Sequence, residues 1–210
     1  DCDIGYGAHA NYKPYEWVHE KGKVVGINID LLDLLAQRAD CSYEIDVYPW
    51  SDLMSYRFRH GDITMLSNEK PLTGSPRADE FRVQLQPVDV LFRYFITRKD
   101  SPDMLSMESL RDKTVLVVQN GVSDDYAESL KEEYSLTILK YTSIDDVLKD
   151  LSRGVGDVCF FNKNFVNDFL AMDEFQNLKV ASIPVMPATM GFMLHQDNLK
   201  LYTKLDRVLT

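Results

Sequence analysis

Residues 12–35, YKPYEWVHEKGKVVGINIDLLDLL, decide the fold. An aromatic loop containing Pro14 leads through a turn around Gly22 to Gly26, Asn28 and Asp30, and then to an apolar run. Gly26 supplies backbone freedom where the chain changes direction. Asn28 or Asp30 is the expected helix cap, because either side chain accepts from the unpaired amides of a first turn. Ile29, Leu32, Leu35 and Ala36 then form one buried stripe. Such a layout sets Tyr12, Tyr15 and Trp17 near the carboxyl end of the first strand, where open α/β sheets bind ligands.

Outward from this stretch, strand-like and helical runs alternate, which predicts an α/β architecture with parallel sheets. Strands are expected at 3–6, 42–48 and 62–66, with a weaker one at 82–90. Helices are expected at 29–38 and 51–59. Residues 92–97 read as a strand, and the pattern restarts. Strands at 114–118, 136–141 and 157–161 alternate with helices at 123–133 and 144–151. The segment WSDLMSYRFRHGDITML (50–66) resembles SIDDVLKDLSRGVGDVCFF (143–161), a weak internal repeat of helix, Gly-Asp turn and strand. Two lobes are predicted: 1–91 with 187–210, and 92–186. The chain crosses near Asp89 to Arg93 and returns near Pro184 to Pro187, so short strands make a two-strand hinge, which favours closure around a ligand.

The 210 residues are enough for a buried core, and 45% hydrophobic with 27% charged residues suits a globular protein. A formal net charge of −10, with no dense Lys/Arg stripe, argues against nucleic acid as a partner. No stretch approaches the ~20 apolar residues of a membrane helix, and no cationic leader precedes an apolar run. The chain opens at Asp1-Cys2-Asp3-Ile4, almost inside its first strand. It stops at Val208-Leu209-Thr210 within a helical run, as expected of a piece of something longer or of a disordered tail. The three cysteines fit no zinc spacing. Cys159 is expected to be a buried small hydrophobe. Cys2 and Cys41 precede strands expected side by side, so they are either a disulfide or two free thiols.

The ordered set of motifs resembles the bacterial extracellular solute-binding proteins of family 3, the polar-amino-acid-binding type. Tyr12-Lys13-Pro14-Tyr15-Glu16-Trp17 and the Gly26 helix start resemble the family's opening pattern. Trp50-Ser51-Asp52-Leu53, His60-Gly61-Asp62-Ile63, Thr73 with Arg77-Ala78, and Gln119-Asn120-Gly121-Val122-Ser123 follow in the family's order. The resemblance implies a two-lobed periplasmic-binding-protein fold of type II.

It also implies a ligand site. Tyr12 and Trp50 would wall the ligand with aromatic faces. Arg77 would pair with a ligand carboxylate, since a planar guanidinium makes two parallel charge-assisted bonds. Against that stands a solvated arginine beside Asp79 and Glu80. Residues 62–77 run about three longer than the family pattern, leaving Ser67, Glu69 and Thr73 only loosely matched. Ser123, at a helix start, could cap the helix or touch a carboxylate. Asp124 could meet an amine or be solvated. Asn162 stands where the family has an acid for the α-ammonium group, and His9 likewise replaces an acid after the first strand. An amide cannot neutralise that charge. The loss of both acids points to a carboxylate ligand without an amine, unless Glu69 or Asp124 restores the charge.

No nucleophile, metal or phosphate-loop motif surrounds the four histidines. The expected function is therefore a non-enzymatic extracytoplasmic solute-binding domain without cofactor or metal. Its ligand is an amino acid or related organic acid, and its partner either a membrane permease for ATP-driven uptake or its own transmembrane signalling module. A dehydratase of the cyclohexadienyl or arogenate type, with Glu69, Asp124 and His9 as acid–base groups, is the alternative.

Overall fold

A computed structural model describes residues 2–49, 57, 58, 60–72 and 82–210. The first part of the chain runs β1 (Asp3–Ala8), β2 (Asn11–Tyr12), β3 (Glu16–Val18), β4 (Val24–Val25), α1 (Ile27–Ala39), β5 (Ser42–Val47), β6 (Met65–Pro71) and β7 (Arg82–Gln84). Next come β8 (Asp89–Arg98), β9 (Thr114–Val118), α2 (Val122–Tyr134), β10 (Thr137–Tyr141), α3 (Ile144–Ser152) and β11 (Val158–Asn162). The last elements are α4 (Lys163–Leu170), β12 (Leu178–Val180), β13 (Val185–His195) and α5 (Leu199–Leu209). The α/β class expected from the sequence is the one observed.

The chain divides into two compact units. The described residues of the first fall within Asp1–Glu69, Ala78–Asp89 and Met190–Thr210, and those of the second within Lys70–Arg77 and Val90–Thr189.

In the first unit β1 is central. It pairs in parallel with β5 from Asp3↔Ser42 to Ala8↔Val47, and with β6 at Tyr6↔Met65 and Gly7↔Leu66. The end of β13 pairs antiparallel with β7. Ile4, Leu32, Leu35, Met65, Phe192 and Leu205 are buried together between sheet and helices. A small antiparallel sheet, β2-β3-β4, carries the aromatic loop.

Helix α1 begins two residues earlier than expected, and its cap differs from the expectation. Gly26 occupies the cap position at φ 132°, with no side-chain cap bond. A Cβ there would stand 2.3 Å from the Tyr15 carbonyl oxygen, so only glycine fits. The Pro14 and Tyr15 carbonyls accept from the Ile27 and Asn28 amides at 3.1 and 2.8 Å. The loop backbone thus satisfies the first turn, and Asn28 and Asp30 are not caps. The Asn28 side chain is released for other bonds.

Two strands differ from their expected bounds. The strand expected at 62–66 starts at Met65, after Thr64 Oγ1 has accepted from the Gly5 amide at 3.2 Å. It continues to Pro71, so much of the apparent insertion is strand. The stretch 82–90 splits into β7 and the start of β8, because Pro87 has no amide for a ladder. The helix expected at 51–59 lies largely outside the described residues.

In the second unit the order is β10-β9-β11-β8. β9 pairs in parallel with β10 and β11, and β8 runs antiparallel to β11 with Asn162 opposite Arg93. All five residues of β11 are buried, the apolar run Val158–Phe161 and then Asn162. Cys159 is among them, its thiol pushed up by burial. Ser143 caps α3 by accepting from the Asp146 amide at 3.2 Å. Helix α4 has no counterpart in the sequence reading, although Asn162 followed by Phe165, Val166 and Phe169 carries a cap and an apolar face.

Cys2 and Cys41 form a disulfide, with Cα atoms 4.7 Å apart and a sequence separation of 39. It joins the entries of the two neighbouring strands β1 and β5. Replacing both cysteines by alanine should cost about 2–4 kcal/mol through the freed unfolded chain. Urea denaturation of the variant, and of the wild type with and without reductant, measures this. An unchanged midpoint would mean that the bridge does not constrain the unfolded chain.

Candidate functional site

In the first unit, the quoted stretch folds around a carboxylate that the sequence reading left without a role. Glu16 is fully buried at the start of β3. Its Oε1 accepts from Tyr6 Oη at 2.8 Å, from Asn28 Nδ2 at 3.0 Å and from Ser67 Oγ. Its Oε2 accepts from the His9 amide at 2.8 Å, and His9 Nδ1 lies 3.3 Å away. Asn28 also donates to Ser67 Oγ at 3.0 Å. Burial, followed by the Glu16 charge, raises the Tyr6 phenol well above its ordinary value, so it stays a donor. Burial also lowers His9, against the attraction of Glu16 and Glu69. A signal for Glu16 existed in the sequence: a lone acid between aromatics in Tyr15-Glu16-Trp17.

Beside this cluster, Tyr12 Oη donates to Glu69 Oε2 at 2.8 Å, tying β2 to β6. Glu69 is 5% exposed. The Tyr12 ring packs against His9 and Tyr15 at centroid distances of 5.4 and 5.3 Å. Of three predicted ligand residues, Tyr12 and Glu69 thus bond each other, and Ser67 belongs to the neighbouring Glu16 cluster. Tyr15 is buried.

In the second unit, Ser123 and Asn162 are buried at the starts of α2 and α4. Ser123 makes no cap bond, because Gly121 holds the cap position. Its Oγ accepts from Arg93 Nε at 3.1 Å and donates to the Phe160 carbonyl at 2.8 Å. Arg93 is buried, and the sequence reading missed it. Its signal is a single cation inside the apolar strand Val90-Leu91-Phe92-Arg93-Tyr94-Phe95. Asn162 caps α4, its Oδ1 accepting from the Phe165 amide at 3.0 Å.

Asp124 is fully buried and not solvated. Its Oδ2 accepts from the Asn120 amide at 2.8 Å, and its Oδ1 lies 3.2 Å from Lys140 Nζ. These bonds fold the α2 entry loop onto β10. Trp50, Arg77 and Thr73 lie outside the described residues. Among the described residues no group of three His, Cys, Asp or Glu could hold a metal, and no helix is long and apolar enough to cross a membrane.

Two outcomes test the Glu16 cluster. Tyr6→Phe should destabilise by about 1–3 kcal/mol, since a buried carboxylate loses a donor. Tyr43→Phe, which removes a half-buried bond to Asp33, should cost less than about 1 kcal/mol. Urea midpoints compare them. The second concerns acid. His9 is favoured neutral in the fold, so the unfolded chain binds more protons below about pH 6.5, and stability falls there as pH drops. His9→Gln should flatten that slope between about pH 6.5 and 5.

Residues 4–210 match the family model described as bacterial extracellular solute-binding proteins, family 3. A probable amino-acid-binding protein of Bacillus subtilis (strain 168), YxeM, is 23% identical over 211 residues, covering 100% of this chain and 78% of the relative. A histidine kinase sensor domain with similarity to periplasmic binding proteins superposes with a TM-score of 0.82 at 21% identity, covering 98% of this chain and 88% of that one. The Gly52Ala mutant of arginine-bound ArgBP from T. maritima gives 0.81 at 20% identity, covering 99% and 94%. The α/β fold is thus that of the periplasmic binding proteins. With almost every residue inside the family match, this chain belongs to the bacterial extracellular solute-binding proteins of family 3.

Proposed function

We propose that the protein is an extracytoplasmic solute-binding domain whose two units close around a small carboxylate-bearing ligand, an amino acid or close relative. The observation that carries this reading is the family match over residues 4–210. The amino-acid-binding name of the Bacillus subtilis relative and the arginine bound by the T. maritima protein support the ligand class. Occupancy passes either to a membrane permease or to a transmembrane signalling module, and the sensor-domain neighbour favours the second.

In this reading Tyr12 and Trp50 wall the ligand, Ser67 and Glu69 line it, and Arg77 clasps its carboxylate. Asn162 borders it with a neutral amide. Asp124 supports the α2 entry loop. Ser123 acts through Arg93: its hydroxyl proton is engaged by Phe160, so it orients a guanidinium rather than donating to the ligand itself. The protein turns nothing over, and acid–base chemistry is assigned to none of these groups.

A thermal-shift screen of amino acids and organic acids tests the proposal. A ligand at 100 times its Kd should raise stability by about 2.7 kcal/mol, or roughly 5–10 °C in Tm for a chain of this size. The shift should vanish in Arg77→Ala. Silence across the whole screen, or turnover of prephenate or arogenate by the purified protein, would overturn it.

A further inference from the structure

We propose that Lys140 is a positioning residue for ligand binding: from β10, and through Asp124, it fixes the turn that sets Ser123 in place. The inference rests on the proposed solute-binding function and extends it to a strand that carries none of the residues assigned to the ligand.

The turn before α2 is bent where side chains resist bending. Asn120 sits at φ 63°, in the left-handed region, which asparagine tolerates better than most residues but still at a cost. Backbone bonds hold the turn on both sides of it. The Gln119 amide donates to the Tyr141 carbonyl at 2.8 Å, tying the turn to β10, and the Gly121 amide closes it by donating to the Val118 carbonyl at 3.2 Å. The Asn120 amide itself donates to Asp124 Oδ2 at 2.8 Å. That bond is charge-assisted, and its acceptor lies in the first turn of α2, beside Ser123.

A carboxylate holds such a place inside a protein when its charge is met. Asp124 is fully buried, and Lys140 Nζ stands 3.2 Å from its Oδ1. The same ammonium lies 3.0 Å from Glu128 Oε1, one turn further along that face of α2. Partial burial pulls the Lys140 pKa down, and the bonds to Glu128 and Asp124 more than offset this, so the group stays charged. Lys140 thus compensates Asp124 and grips two successive turns of α2 from the neighbouring strand. Ser123 sits between the cap residue Gly121 and Asp124, with its hydroxyl on Arg93 and the Phe160 carbonyl. A turn released by Lys140 carries Ser123, and the guanidinium it orients, out of position.

Lys179 supplies a control within the same unit. It is also a partly exposed lysine, 2.9 Å from Asp103, but it lies on β12, which pairs with β8 rather than with β10.

Calorimetry with L-arginine, L-glutamine, L-glutamate and succinate, and amide hydrogen exchange of the unliganded protein, test the proposal. Lys140→Met should weaken whichever of these probes binds the wild type by roughly 5–50-fold, the range for coupled neighbours. It should also speed exchange of the Asn120 amide by about tenfold or more, while the β9 amides of Leu116 and Val117 keep their rates. Lys140→Arg, which keeps the charge, should recover much of the lost affinity, and Lys179→Met should change neither reading. In an Asp124→Asn background Lys140→Met should cost less than about twofold, because it acts through that carboxylate. Should Lys140→Met alone fail to fold, this double variant strands no charge at position 124, and its comparison with Asp124→Asn decides. A folded Lys140→Met that binds undiminished, or an equal loss in Lys179→Met, would overturn the inference while leaving the proposed function standing. So would unchanged exchange at Asn120. Binding of no probe by the wild type would instead count against the proposed function, and the inference would fall with it.

Discussion

Burying the Glu16 carboxylate is the constraint on which the first unit depends. A charge removed from water is costly unless its lone pairs are met by donors. Here the donors come from three separate stretches: Tyr6 on β1 with the His9 amide just after it, Asn28 in the first turn of α1, and Ser67 on β6. Each of those elements must arrive in register for the carboxylate to be satisfied. A shift of β6 by one residue would turn Ser67 to the other face of the sheet and leave Glu16 short of a donor. One buried acid therefore fixes the helix entry, the loop and the strand that carry Tyr12 and Glu69.

The second unit solves a related problem with a cation. Arg93 is buried on β8, and Ser123 holds its Nε at the start of α2. Asn162, opposite Arg93 across the β8–β11 ladder, spends its side chain on the α4 cap. A serine and an asparagine at helix starts look interchangeable as caps in a sequence. Here Gly121 takes the cap position before Ser123, which leaves the hydroxyl to bridge a guanidinium and the Phe160 carbonyl.

Much of the fold was legible because it follows from local periodicity. The apolar spacing of α1, the short apolar runs of β9 and β11, and the helical run at 144–151 all give bounds within a residue or two of those observed. Helix α4 was missed because its apolar face is short and because Asn162 also stands at a position where the family meets its ligand. Pro87 divided a run that reads as one strand, since hydrophobicity alone does not register a missing amide. The site was less legible. Tyr12, Ser67 and Glu69 were named, but Glu16 and Arg93 were not, although each is a lone charge inside an apolar or aromatic run.

The sequence by itself determined the alternation of strands and helices, the glycine at the α1 entry, the family and the residue types available to meet a ligand. These rest on local geometry and composition, which neighbouring residues settle between themselves. Only the tertiary structure decided which polar groups are already engaged. Asp124 is matched by Lys140, Ser123 by Arg93, and Asn28 by Glu16, through partners 12 to 30 residues away along the chain. Whether a buried side chain is structural or left to face a ligand depends on who meets it. Nothing in the order of residues sets that before the chain has folded.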